Sequence, residues 1–202
     1  MDEAVLRSMA KWPNVPAVYG WLTLDRRGNW LLKGERIGNP AVTEFIGRNY
    51  ERDPAGRWFF QNGAQRVYVA PEYTPIVYRV VSAFGEPLTL ETHNARRVAT
   101  VSGTWMDENT EILVATEHGI GVVLDRDLES VVPACVDAEG TVIPEDDLER
   151  IMEALQGGKQ AQLWVRYTDR TVRVEPICSR DVPGRFDFVA TPGAAAGEAA
   201  CA

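Results

Sequence analysis

The densest set of side-chain hydrogen-bond donors in the chain is His93, Asn94, Arg96 and Arg97, gathered within one short stretch. Guanidinium groups present planar forks of donors that match carboxylate and phosphate oxygens. A small anionic ligand such as a nucleotide or a carboxylate therefore suits these four residues. The bland alternative is an exposed polar turn. His93 and His118 are the two histidines of the chain, and they fall at similar places in two similar hairpins, Leu90-Glu91-Thr92-His93-Asn94 and Val114-Ala115-Thr116-Glu117-His118-Gly119. If those hairpins are neighbours, the imidazoles can meet. A metal needs three or four ligands, so Cys135 or an aspartate would have to join them, and no metal and no cofactor is expected.

Other reactive types are present without a directing pattern. Cys135, Cys178 and Cys201 are odd in number and widely spaced, with no CxxC. That spacing fits inert thiols in a reducing compartment better than a disulfide framework or a zinc site. Asp107-Glu108, Asp125-Arg126-Asp127 and Glu145-Asp146-Asp147 read as turns and a helix start, and their expected roles are solvation or capping. No P-loop, GxGxxG, GxSxG or HExxH occurs.

Composition sets outer limits. The chain has 202 residues, 45% of them hydrophobic and 25% charged, with net charge −8. That is enough chain for one large or two small globular domains. The acidic balance disfavours non-specific binding to nucleic acid or to an anionic membrane surface. No apolar run approaches the roughly 20 residues of a membrane helix. With no apolar segment behind the acidic start Asp2-Glu3, a cytoplasmic location is expected.

The elements that must position these residues are short. Residues 2–11 have an amphipathic helical pattern, ended by Pro13 and Pro16. Tyr19 to Ile37 reads as a meander turned by Asp25-Arg26-Arg27-Gly28-Asn29. Asn39-Pro40 starts a helix. Trp58 to Pro71 reads as a hairpin about Asn62-Gly63. Further strands are expected at Ile76–Val81, Leu88–Thr92, Val98–Val101, Ile112–Thr116 and Gly121–Leu124. Trp21, Trp30, Trp58 and Trp164 fall in expected strands, and core packing is their expected role.

The last third repeats the first. Val136 to Ile143 matches Leu24 to Leu31 as apolar–Asp–x–x–Gly–polar–apolar–apolar. Pro144 opens a helix as Pro40 does. Trp164 to Pro176 resembles Trp58 to Pro71. The expected fold class is α+β: two diverged hairpin–helix–hairpin units with small antiparallel sheets, joined by further antiparallel strands. The expected boundaries are an N-terminal helix and linker over 1–18, a first unit over 19–101, a second over 102–190, and a disordered tail over 191–202.

Asp25-Arg26-Arg27-Gly28-Asn29-Trp30, Lys33-Gly34-Glu35-Arg36-Ile37, Tyr73-Thr74-Pro75-Ile76-Val77 and Leu88-Thr89-Leu90-Glu91-Thr92 together resemble a bacterial family of unknown function. The resemblance implies an α+β fold with repeated two-layer motifs and a cleft between them, and a suggested role in signalling. It brings no catalytic residue with it. The expected function is a non-catalytic regulatory or signalling module that binds a small anionic ligand or a protein partner, with His93, Asn94, Arg96 and Arg97 as ligand-binding residues. An enzyme with its site in the cleft between the repeat units is the alternative.

Overall fold

Asn39 starts a helix because its side-chain Oδ1 accepts the Ala41 amide at 3.0 Å while Pro40 fills the first helical position. The computed structural model describes residues 1–12, 15–194 and 200–201, the last pair as backbone only. Of the tail expected over 191–202, residues 195–199 and 202 lie outside the described residues, as do Pro13 and Asn14. The chain forms two compact units, Met1–Pro75 with Asp187–Ala202, and Ile76–Phe186. Each is α+β.

The first unit runs α1 (Glu3–Lys11), β1 (Ala17–Leu24), β2 (Trp30–Leu32), β3 (Glu35–Arg36), α2 (Pro40–Arg48), β4 (Tyr50–Arg52), β5 (Trp58–Asn62) and β6 (Gln65–Pro71). Its sheet has the order β3-β2-β1-β6-β5-β4. Gly20, at a φ of 73°, sits where the β1–β6 register shifts, a bulge of the kind glycine permits. Leu24, Trp30, Tyr50, Trp58 and Val69 are buried, with Trp30 packing edge-on against Tyr50.

The second unit contains β7 (Ile76–Val80), β8 (Leu90–Thr92), β9 (Val101–Met106), β10 (Ile112–Thr116), β11 (Gly119–Val123), α3 (Leu128–Val131), β12 (Cys135–Val136), α4 (Glu145–Gln156), β13 (Trp164–Arg166), β14 (Thr171–Pro176) and α5 (Val182–Arg185). Its sheet has the order β12-β13-β14-β9-β10-β11-β7-β8. The strand β15 (Ala200–Cys201) belongs to the first unit, where it runs parallel to Ala17–Val18. The short helices α3 and α5 have too few turns to show a 3.6-residue period. Strand β9 starts where the sequence reading stops at Val101. Ser102 and Gly103 weaken the strand pattern there, but Trp105 folds back over Gly103, where a Cβ would come within 2.2 Å of the indole.

The two sheets share one topology. The path β3-β2-β1-β6-β5-β4 is repeated by β11-β10-β9-β14-β13-β12. In each copy the central pair is parallel and ends on a proline: Leu24 faces Pro71, and Met106 faces Pro176. The match of Trp58–Pro71 with Trp164–Pro176 agrees with this register, since Trp58 faces Arg52 before Asp53 and Trp164 faces Val136 before Asp137. The match of Leu24–Leu31 with Val136–Ile143 does not. Leu24-Asp25 corresponds to Met106-Asp107, and α4 lies in the connection from β12 to β13, which in the first unit is a tight turn.

The reason for the misleading match is that one turn is used five times among the described residues. Asp25, Asp53, Asp107 and Asp137 each accept two amides on Oδ1, from the residues two and four positions later, at 2.7–3.0 Å. The fourth residue of each turn has positive φ: Gly28, Gly56, Thr110 and Gly140. Thr92 heads the fifth copy, with Ala95 in the positive-φ place. An aspartate that satisfies turn amides, followed by a residue tolerant of the left-handed region, is a local solution. It says nothing about which hairpin it closes.

Candidate functional site

The residues His93 to Arg97 form that fifth turn, between β8 and the strand-like segment Arg97–Val98. Thr92 is 1% exposed and does the work of the aspartate: its amide donates to the Arg96 carbonyl at 2.9 Å and its Oγ1 accepts the Arg96 amide at 3.0 Å. A hydroxyl can also donate, and the Thr92 hydroxyl bonds Asn94 Oδ1 at 2.5 Å. An aspartate in its place could not do this, so the threonine couples the Asn94 side chain to the turn.

His93 is half-buried and bonded to the backbone of β7. Its amide donates to the Val77 carbonyl at 2.7 Å, and its Nδ1 accepts the Val77 amide at 3.3 Å. An Nδ1 that accepts carries no proton, so the ring proton of the neutral form sits on Nε2. His118 reaches the same turn from the β10–β11 hairpin, with Nε2 2.9 Å from the Arg97 carbonyl oxygen. The two similar hairpins thus meet at the backbone of one turn. Among the described residues no three His, Cys, Asp or Glu side chains gather as metal ligands.

Glu117 braces the segment that leaves the turn, accepting the amides of Ala99 at 2.6 Å and Thr100 at 3.1 Å. Burial pushes its carboxyl up. The amide bonds from Ala99, from its own backbone and from Thr100, together with the neighbouring His118, outweigh that and hold it below the usual glutamate value. Arg96 and Arg97 stand exposed at the end of this braced turn. The structure therefore gives the four expected residues different tasks. His93 and Asn94 are tied into the turn, and Arg96 and Arg97 present their charge to solvent.

Beside the same hairpin lies a cavity of about 270 Å³. Leu88, Leu90, Val98 and Val101 give it apolar walls. Thr89, Thr168 and Asp169 supply its polar side chains. Leu88 pairs in parallel with Tyr167, and the Thr89 and Thr168 hydroxyls meet at 2.8 Å. Nothing in the sequence marks this cavity, because its two walls are 79 residues apart in the chain and neither carries a motif.

The remaining candidates are structural. Burial pushes the Cys135 thiol up to about 12, and its Sγ lies 3.5 Å from the Val131 carbonyl. Glu108 is held below the usual glutamate value by hydrogen bonds from the Ser179 hydroxyl and amide, which fixes the start of the turn before α5. Asp125 and Asp127 flank a short 3-10 turn, and Asp127 accepts the Val80 amide at 2.9 Å. No helix among the described residues is long and apolar enough to cross a membrane.

A family model described as "Protein of unknown function (DUF2946)" matches residues 1–193. No curated protein matches the chain. Two solved structures are similar to it. A DUF1285 family protein from Silicibacter pomeroyi DSS-3 is 16% identical, with a TM-score of 0.49 over 66% of this chain and 85% of that one. A DUF1285 family protein from Shewanella baltica OS155 is also 16% identical, with a TM-score of 0.40 over 56% of this chain and 87% of that one.

Proposed function

We propose that this chain, which belongs to the family described as Protein of unknown function (DUF2946), is a non-catalytic regulatory module that binds a small anionic ligand at the turn His93–Arg97. One observation carries the reading. Within the second unit, Arg79, Arg166, Arg170, Arg173 and Arg185 each meet a carboxylate or a carbonyl oxygen. Among the described residues the guanidinium groups of Arg96 and Arg97 meet neither, and both are exposed. Two adjacent exposed cations outside any ion pair stand out on a chain of net charge −8.

The turn beneath them is pre-organised by bonds to Val77, Thr92 and His118, so little backbone ordering opposes binding. A carboxylate or phosphate would gain charge-assisted bonds of about 1.5–3 kcal/mol each. Calorimetric titration with inorganic phosphate, citrate and a nucleoside monophosphate tests the reading. Saturable binding by at least one of them, weakened about tenfold or more when Arg96 and Arg97 are both replaced by Gln, is the expected result. Equal affinity in the double variant, or no binding of any of the three at millimolar concentration, would refute it.

A further inference from the structure

We infer that the cavity beside β8 is a binding site for a small primary amine with an apolar body. The polar groups of its lining offer more free acceptors than free amide donors. The amides of Leu88, Thr89, Val98, Ala99, Val101 and Thr168 already donate within the protein, to the Arg166 carbonyl, Ser82 Oγ, the Leu90 carbonyl, Glu117, Asp169 and the Leu88 carbonyl respectively. Donor capacity at these six amides is therefore spent.

Acceptor capacity is not. The Thr168 hydroxyl donates to the Leu88 carbonyl at 3.2 Å. The 2.8 Å contact between the two threonine hydroxyls is then donated by Thr89, which leaves lone pairs on Thr89 Oγ1. Asp169 Oδ2 takes both the Val101 amide at 3.3 Å and Arg170 Nε at 2.9 Å. Among the described residues its Oδ1 has no such partner. A carboxylate that is 24% exposed and a hydroxyl oxygen, set in walls of leucine and valine, ask for a ligand that donates and does not accept. An ammonium group has three donors and no acceptor.

Size narrows the class. About 270 Å³ is the volume of roughly nine waters at about 30 Å³ each, smaller than most drug-sized pockets. A compact aryl or alkyl amine fits, and a nucleotide or a peptide side of several residues does not. This site is separate in chemistry from the anion-binding turn, and either can fail without the other.

The test is a titration of the unaltered chain with 2-phenylethylammonium, 2-phenylethanol and phenylacetate, followed through the backbone amide signals of an isotope-labelled sample. Saturable shifts centred on Thr89, Val98, Val101 and Asp169 are expected for the amine, with the alcohol and the acid at least about tenfold weaker. Asp169→Asn keeps an acceptor for the Val101 amide and removes the charge, so it should weaken the amine about tenfold and leave the alcohol unchanged. If that variant does not fold, the three-ligand comparison on the unaltered chain decides by the same criterion. Equal binding of the three compounds, shifts centred elsewhere, or no shift at millimolar amine would overturn the proposal.

Discussion

His93 and Val77 are joined by a reciprocal pair of bonds, amide to carbonyl at 2.7 Å one way and amide to imidazole Nδ1 at 3.3 Å the other. The imidazole therefore completes a strand pairing that the backbone alone leaves half made. Replacing His93 by Ala removes the acceptor for the buried Val77 amide, which costs about 1–3 kcal/mol. Asn places an oxygen near the Nδ1 position, and His93→Asn should recover most of that loss in urea unfolding. Equal destabilisation by Ala and Asn would show that the ring acts by packing alone.

Ala95 holds a φ of 62° where three of the other copies of the turn have glycine. The left-handed region costs a non-glycine residue about 1 kcal/mol. Ala95→Gly should therefore stabilise the protein by up to about 1 kcal/mol, less the entropy glycine brings to the unfolded chain. The same change at Thr110, at 64°, should act alike, and Gly140→Ala should act in the opposite direction. A loss of stability in Ala95→Gly, measured by thermal unfolding, would refute the strain argument.

The sequence shows the parts of this fold better than their correspondence. The caps at Asn39 and the turn glycines are local, and local chemistry marks the helices α1, α2 and α4 and most strand ends. The internal repetition is also visible, because Trp58–Pro71 and Trp164–Pro176 keep matched apolar positions. Its offset is not, since the Asp25 and Asp137 turns look alike while only the strand pairing of Leu24 with Pro71 and Met106 with Pro176 assigns the copies. The turn His93–Arg97 is legible as a cluster of donors. The inward role of His93 and the cavity at Asp169 depend on contacts between distant strands that no spacing encodes.

Asp53 joins turn chemistry to electrostatics. Its Oδ1 holds the amides of Ala55 and Arg57, and its Oδ2 takes Arg57 Nε at 2.8 Å and the Tyr68 hydroxyl at 3.1 Å. Burial pushes the carboxyl up, but the bonds from Arg57 and Tyr68 outweigh it and the net shift is downward. A carboxyl depressed in the folded state adds stability that is complete above its unfolded value, about 3.9. That stability is lost as pH falls through the lower folded value. Asp53→Asn should flatten this acid limb and destabilise the protein at neutral pH by about 3 kcal/mol, because the half-buried Arg57 loses its carboxylate. An unchanged slope of stability below pH 4 would contradict the assignment.

Gly121 and Tyr78 fit closely against each other in the sheet of the second unit. The Tyr78 ring lies over Gly121, so that a Cβ there would come within 2.6 Å of Cε2 and 2.8 Å of the Ile76 carbonyl oxygen. The ring is held in this pose by its hydroxyl, which donates to the Gly119 carbonyl at 2.8 Å and meets Thr116 Oγ1 at 2.6 Å. Tyr78 is fully buried, and the ring cannot swing away without vacating packed space. Gly121→Ala should therefore destabilise by about 2 kcal/mol or more, since overpacking beside a rigid carbonyl is not relieved by a rotamer change. Tyr78→Phe keeps the ring and removes its tether, at a cost of about 1–2 kcal/mol. The double variant should cost less than the sum of the two, because an untethered ring yields more easily to the added methyl. Strict additivity in urea unfolding would mean that the hydroxyl bonds do not hold the ring over the glycine.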